Sequence, residues 1–358
     1  MSKAPEQINI GQIRKAIPES LFKKSESRFL VSVAQAISST ALLAYIGYRY
    51  IPLTWYALPI WIVFDFLLGT VAMGIWVLGH ECGHSAFSDN KMWNDILGYF
   101  LHEILLVPYF SWQHSHALHH AKTNHLTEGE TFCPVVLNSK MGKIYQKIKD
   151  IIGVESFSIV QIFNVTVLGW PLYLLLGVTG GSSRGFTSHF IVPNKLFPSR
   201  MLVKVSLSNI GLCFVIFGLY KWAQATSFAE VMALYIGPYL VINMWLTIIT
   251  FLQHTDISIP HYDSTSWNWL KGALSTIDRN YPAWIDSLHF EIGTTHVLHH
   301  VFSELPHYHA NEANIYFKKA VGDLYHCDEK PLLTSLYQCA SLVGVEHKGD
   351  GAWFFSKE

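Results

Sequence analysis

Residues 29–48 run twenty positions without a charged side chain, about the length (~20 residues) a helix needs to cross the hydrocarbon of a bilayer. Backbone N–H and C=O groups find no water there, and a helix satisfies them within the segment itself. Four further apolar runs follow, at residues 53–78, 157–178, 205–220 and 231–252. Charged residues make up only 14% of the chain, where a soluble domain carries about 25%. The expected fold is therefore an all-α integral membrane protein, built as one unit without internal repeats.

The polar ends of these runs carry the residues with chemistry. His80-Glu81-Cys82-Gly83-His84 closes the second run, and His116-Ala117-Leu118-His119-His120 and His296-Val297-Leu298-His299-His300 answer it later. Residues three and four apart share a helix face. So His80 with His84, His116 with His119 and His120, and His296 with His299 and His300 each point one way. Neutral imidazole is the commonest metal ligand, and eight of them exceed what one ion takes. The pattern predicts a site for more than one metal.

A shared site requires the three clusters to lie on one side of the membrane. Between His120 and His254 lie three apolar runs, and three crossings would separate the clusters. The run at 157–178 contains Gly169 and Pro171, residues that break or kink helices, so it is expected not to cross. Residues 96–110, interrupted by His102, Glu103 and Pro108, dip or lie flat. The expectation is about four transmembrane helices in two hairpins, a re-entrant or interfacial fifth segment, and a cytosolic helical cap holding a di-metal site. Basic residues collect before the first run and at Lys140, Lys143, Lys147 and Lys149, while the opposite loops hold mainly Arg49 and Lys221. By the positive-inside rule the histidine clusters and both termini are cytosolic.

His80 to His84 also satisfies the HExxH pattern of zinc proteases, in which Glu81 would be the general base. That reading, an intramembrane protease, leaves the two later clusters without a role. Imidazole suits iron, copper, zinc and nickel alike. A metal cap above a membrane bundle implies a lipophilic substrate, and attack on an unactivated acyl chain calls for the oxidising chemistry of iron and dioxygen.

Beyond the boxes themselves, several stretches resemble the membrane-bound fatty acid desaturases of the delta-12 oleate, or methyl-end, group. They are His80 to Asp89, Leu106-Val107-Pro108-Tyr109-Phe110-Ser111-Trp112, Leu252-Gln253-His254-Thr255, Pro260-His261-Tyr262-Asp263, Trp267 to Leu274, and Thr295 to His300 with Pro306-His307-Tyr308. The resemblance implies two iron ions, O2 as co-substrate and two electrons, used to remove two hydrogens from an acyl chain. It carries the catalytic and metal-binding roles onto His80, His84, His116, His119, His120, His296, His299 and His300. It adds His254, at a helix end between the second and third boxes, as a further metal ligand. The implied reaction is acyl-lipid desaturation that places a cis double bond in a monounsaturated chain, oleoyl to linoleoyl, since Glu81 is commoner in the delta-12 type. Omega-3 desaturation, hydroxylation, and acetylenic or conjugated-bond formation use the same scaffold and stay open. Ala117-Leu118 and Val297-Leu298 depart from the plant pattern and bear on regiochemistry, not on the ligands.

The implied partners are a fatty acyl lipid (phospholipid-linked or acyl-CoA), membrane lipids and a separate cytochrome b5-type electron donor, since the chain has no His-Pro-Gly-Gly haem motif. A net charge of -1 and the lack of a nucleic-acid motif argue against nucleic acid. Cys82, Cys133, Cys213, Cys327 and Cys339 form no CxxC pair, as expected in a reducing compartment, and Cys82 reads as a small buried filler. Residues 1–28 form an expected cytosolic segment that is neither secretory signal nor transit peptide. Residues 29–325 form the desaturase domain and 326–358 a cytosolic tail whose end is no KDEL-type tag. The expected address is the endoplasmic reticulum membrane. His102, His114, His125, His189, His261, His289, His307 and His309 fall outside the ligand set. Glu81, Asp89, Glu128, Glu130, Asp256, Asp263 and Glu291 are candidates to accept the second N–H of a metal-bound imidazole.

Overall fold

Capping residues set where the helices begin in the computed structural model of the protein, which describes residues 9–356. Residues 1–8 of the expected N-terminal segment, and Lys357 and Glu358 at the chain end, lie outside the described residues. Asn9 caps α1 (Ile10–Ala16), and Ser25 caps α2 (Glu26–Tyr50), which stops where Ile51 turns extended before Pro52. Pro59 sits in the first turn of α3 (Leu58–Gly83), where its missing N–H costs nothing. The shorter α4 (Lys91–Glu103), capped by Asn90, and α5 (Tyr109–Ala121) follow.

Ser139 caps α6 (Lys140–Phe163), which passes through a π-helical turn (Asn164–Leu168) into α7 (Gly169–Leu176). The sequence places the break in this run at Gly169 and Pro171, yet the helix continues through both. A proline ring clashes with the carbonyl four residues back, and the wider π turn just before it absorbs that clash. A second π turn (Met232–Ile236) joins α9 (Phe228–Val231) to α10 (Gly237–His254) directly ahead of Pro238, after α8 (Leu202–Ala225). The break in the long helix lies instead at Gly153, whose φ of 81° is one that glycine adopts at little cost.

Among the described residues, five helical stretches are long and apolar enough to cross a membrane: Glu26–Tyr50, Trp55–Gly83, Lys140–Leu176, Ser199–Ala225 and Phe228–His254. They coincide with the five apolar runs. α3 and α10 form the centre, with 56% and 50% of their most apolar stretch buried against 17–22% for the other three. Their close approach depends on Gly69, where a Cβ would lie 2.5 Å from the Cβ of Val241 and 2.6 Å from the Pro238 carbonyl oxygen. Gly69→Ala is expected to force the pair apart at a cost of about 1–3 kcal/mol. A thermal melt in detergent checks this, and an unchanged melting temperature would refute the packing argument.

The two ends of the excursion from residue 140 to 176 meet. The Cys133 N–H donates to the Thr179 carbonyl (3.0 Å), the Gly181 N–H to the Gly129 carbonyl (2.9 Å), and the Arg184 guanidinium to the carbonyls of Glu128 and Gly129 (2.8 and 3.1 Å).

The chain is mostly helical but not wholly so. β1 (His261–Tyr262), α11 (Trp269–Leu274), β2 (Asp278–Arg279), α12 (Ala283–Leu288), α13 (His296–Val301) and α14 (His307–Val321) lead into β3 (Cys327–Asp328), α15 (Leu332–Ala340), β4 (Val345–Gly349) and β5 (Ala352–Phe355). β3 runs parallel beside β2, and β5 lies between β1 and β4 in an antiparallel sheet. Residues 327–355 are thus stitched to the loops that follow α10. A second apolar cluster, Ile13, Ile17 and Leu21 against Val297, Leu298 and Phe317, backs the third histidine box.

Candidate metal centre

Four segments deliver the imidazoles to one place. The last turn of α3 carries His80 and its C-cap is His84, α5 carries His116, His119 and His120, the end of α10 carries His254, and α13 carries His296, His299 and His300. The donor atoms of His80, His84, His116, His120 and His299 all lie within 4.8 Å of one another, as do those of His119, His254 and His300. His296 joins the second group through His254, Nε2 to Nε2 at 3.1 Å. All nine residues named from the sequence are therefore brought together, in two constellations.

The spacing fits metal ligation. His84 and His116 place their Nε2 atoms 2.9 Å apart, His116 and His120 3.2 Å, and His119 and His254 3.1 Å. Two imidazole nitrogens bound at right angles to one ion at about 2.1 Å would lie about 3.0 Å apart. Among the described residues, Nε2 of His299 and of His300 is buried with no hydrogen-bond partner. A catalytic zinc takes three protein ligands and a water, so nine imidazoles in two groups do not describe a single-zinc protease site.

Burial and the neighbouring imidazoles hold His84, His116, His120, His296 and His300 far below the usual histidine range, and burial lowers His119 to about 3. They are neutral at physiological pH, the form that binds metals. Ring planes are set by tryptophans: Trp76 stacks on His80 (centroids 5.5 Å) and Trp112 on His116 (4.7 Å). One tautomer is readable from the hydrogen bonds. The Thr123 hydroxyl donates to the His119 carbonyl (2.7 Å), so its oxygen accepts from Nδ1–H of His300 (3.1 Å), leaving Nε2 of His300 free to ligate. Losing such an outer partner typically costs about 10–100-fold in metal affinity or activity. Thr123→Val should show that loss and Thr123→Ser should not, measured as bound metal and product per chain.

Among the acids singled out from the sequence, Glu81 lies beside a box imidazole, Oε1 3.5 Å from Nδ1 of His80. Glu130 instead accepts from Tyr173 and Thr131, Asp89 from Lys24, Glu128 from Lys122, and Asp256 from Arg279. Five of the remaining histidines serve the scaffold. His102, His114 and His289 sit 3.0 Å from the carbonyls of Trp76, Leu196 and Thr70, and His189 and His307 sit beside the hydroxyls of Ser115 and Ser32. Cys82 is fully buried and free, as a filler would be.

Like Thr123, two further residues that position the boxes were not found from the sequence. Asp278 accepts the Val297 N–H (2.9 Å) and is met by Asn314 and Tyr325, holding the first turn of α13, and burial raises its carboxyl to about 7. Arg279 donates to the carbonyls of Leu252 and Thr255 (2.9 Å each), bracketing His254, and to Asp256 and Asp328. Their one sequence signal is an adjacent acid and base in a chain poor in charge.

A narrow cavity opens beneath the imidazoles. His80, His116, His119 and His296 line it with Trp76, Leu246 and Ile249, which makes it apolar away from the histidines.

The sequence profile of the family "Fatty acid desaturase" matches residues 53–326. The chain is similar to a Delta(12) fatty acid desaturase, DES8.11, of Calendula officinalis, at 40% identity over 96% of this chain and 92% of that one. It is 38% identical to a Delta(12)-fatty-acid desaturase of Arabidopsis thaliana, over 98% of this chain and 92% of the relative. It is also 38% identical to an omega-6 fatty acid desaturase, endoplasmic reticulum isozyme 2, of Glycine max, over 93% and 86%.

Proposed function

The chain belongs to the fatty acid desaturase family, and from that premise we propose that it converts oleoyl to linoleoyl chains, a delta-12 acyl-lipid desaturation. The observation that carries this reading is the pair of imidazole constellations set over an apolar cavity. The relatives named as Delta(12) enzymes support the position of the bond.

His80, His84, His116, His120 and His299 would hold one iron, and His119, His254, His296 and His300 the other. When bound, the two irons supply the oxidising power by which O2, two electrons and two protons convert a –CH2–CH2– unit into –CH=CH– and two waters. The chain's own part is to hold nine neutral imidazoles in place, through the stacked tryptophans, Thr123, Asp278 and Arg279. The apolar walls bring one stretch of acyl chain against them and keep bulk water out. The electrons come from a separate cytochrome b5-type donor.

We read the membrane topology as four crossings, with the excursion at 140–176 returning to the face it left. The hydrogen bonds joining Cys133 to Thr179 and Gly129 to Gly181 support that return. The histidine boxes and termini then face the cytosol, and the relative named as an endoplasmic reticulum isozyme supports that membrane as the location. Residues 29–325 constitute the catalytic domain in this reading.

Expression in a yeast that makes only monounsaturated fatty acids tests the proposal. A linoleate peak in the total fatty acids, by gas chromatography with mass spectrometry, is the expected result. An omega-3 product from added linoleate would overturn the delta-12 assignment, and a hydroxylated or acetylenic product would overturn desaturation itself.

A further inference from the structure

The cavity beneath the histidines is not the end of the uncharged internal space. A second, roomier cavity of about 440 Å³ adjoins it, and the two share Phe132, Gly169 and Thr179 as walls. Val165 and Leu172 of the π-turn helix form one side of the outer cavity, and Leu342 and Val343 beyond α15 form another. No charged side chain is among the described residues that line it.

The boundary between the two is aromatic. Phe132 packs on Phe251 with ring centroids 5.3 Å apart. In the loop, Thr131 faces the inner cavity and Cys133 the outer, with Phe132 touching both. On α10, Thr250 faces the inner and Phe251 the outer. Both segments thus cross from one compartment to the other at this pair. Phe132 is held at a φ of 50°, a left-handed conformation costly for a bulky residue and of a kind that clusters at active sites and ligand clamps. Beside it, Gly169 carries no side chain to close the passage, and the Thr179 hydroxyl is buried with no hydrogen-bond partner among the described residues.

We propose that the outer cavity is a second acyl-binding compartment, and that the Phe132–Phe251 pair is the constriction the substrate's chain threads to reach the histidines. This rests on the desaturase reading above. A chain oxidised at its middle and tied to a bulky carrier cannot draw the carrier inward, so its carrier-side half needs an apolar place outside the reaction cavity. The outer cavity is contiguous with that site and uncharged. The constriction then decides how far the chain advances, and so which carbons lie under the imidazoles.

The test uses the full chain in membranes, supplied with monounsaturated acids of sixteen to twenty carbons. Phe132→Ala is expected to shift the ratio of chain lengths accepted, or of double-bond positions formed, by about ten-fold, the scale on which an apolar pocket discriminates one methylene. Phe132→Leu serves if the alanine variant does not accumulate. As a readout independent of turnover, a phospholipid with a photoreactive diazirine near its ester should label peptides spanning residues 157–176 in the unsubstituted protein. Val165→Trp, which fills the outer cavity, should abolish that labelling. Unchanged product profiles in both Phe132 variants, or labelling unaffected by Val165→Trp, would overturn the inference. An unsubstituted enzyme that forms no double bond would overturn the desaturase reading instead, a failure the labelling result keeps separate.

Discussion

Alanine at His119 abolishes double-bond formation while the protein still inserts into the membrane. His119 stands at the centre of the second constellation, its ring centroid 4.5 Å from that of His254 and 5.0 Å from that of His300. It is also the residue whose carbonyl receives the Thr123 hydroxyl. Removing the side chain takes one donor from a group of four and leaves a void where a metal edge should be. The loss should exceed the ~10–100-fold expected for an outer partner, and linoleate should fall below detection. The fold should survive, because the helices are held by α3, α10 and the apolar clusters rather than by this imidazole. The check is product per unit of membrane-bound protein alongside iron per chain. Full activity in His119→Ala would end the ligand assignment.

Arg279→Ala produces the largest loss of stability among single changes outside the boxes. Its side chain is 1% exposed, and it meets Asp256 at 2.9 Å and Asp328 at 2.5 Å, carboxylates that are themselves only 13% and 10% exposed. Breaking a buried pair by removing one partner costs about 3–5 kcal/mol, because the partner charge stays buried and uncompensated. Here two carboxylates and two helix-end carbonyls lose their donor together. Arg279→Lys should not rescue, since one ammonium cannot span the directions that the guanidinium fork serves. Thermal unfolding of purified protein measures the effect, and a change under about 1 kcal/mol, the scale of a surface pair, would refute it. Because Arg279 brackets His254, the surviving folded fraction should also bind less metal.

Some of this was legible residue by residue. The apolar runs specify helices because a chain in hydrocarbon has few other ways to satisfy its backbone, and all five runs are helical. The intervals within His116 to His120 and His296 to His300 specify shared faces because 3.6 residues make a turn. Both are local rules, so sequence spacing is enough to apply them. The helix through Pro171 shows where a local rule fails. Proline predicts a break, but whether a π turn forms ahead of it depends on what the helix packs against, here α10.

The sequence by itself determined that this is a helical membrane protein with three imidazole clusters, each on one face, and a family resemblance that assigns their chemistry. Only the tertiary structure decided how the imidazoles divide into two constellations. That division mixes donors from four segments as far apart in sequence as His80 and His299. It also decided that Asp278, Arg279 and Thr123 hold those segments and that a second, uncharged compartment lies behind Phe132. Such residues act through partners as much as 177 positions away in the chain, as Thr123 does with His300. No periodicity encodes a contact of that range, because it exists only once the chain has folded and the packing of whole helices has set the distance.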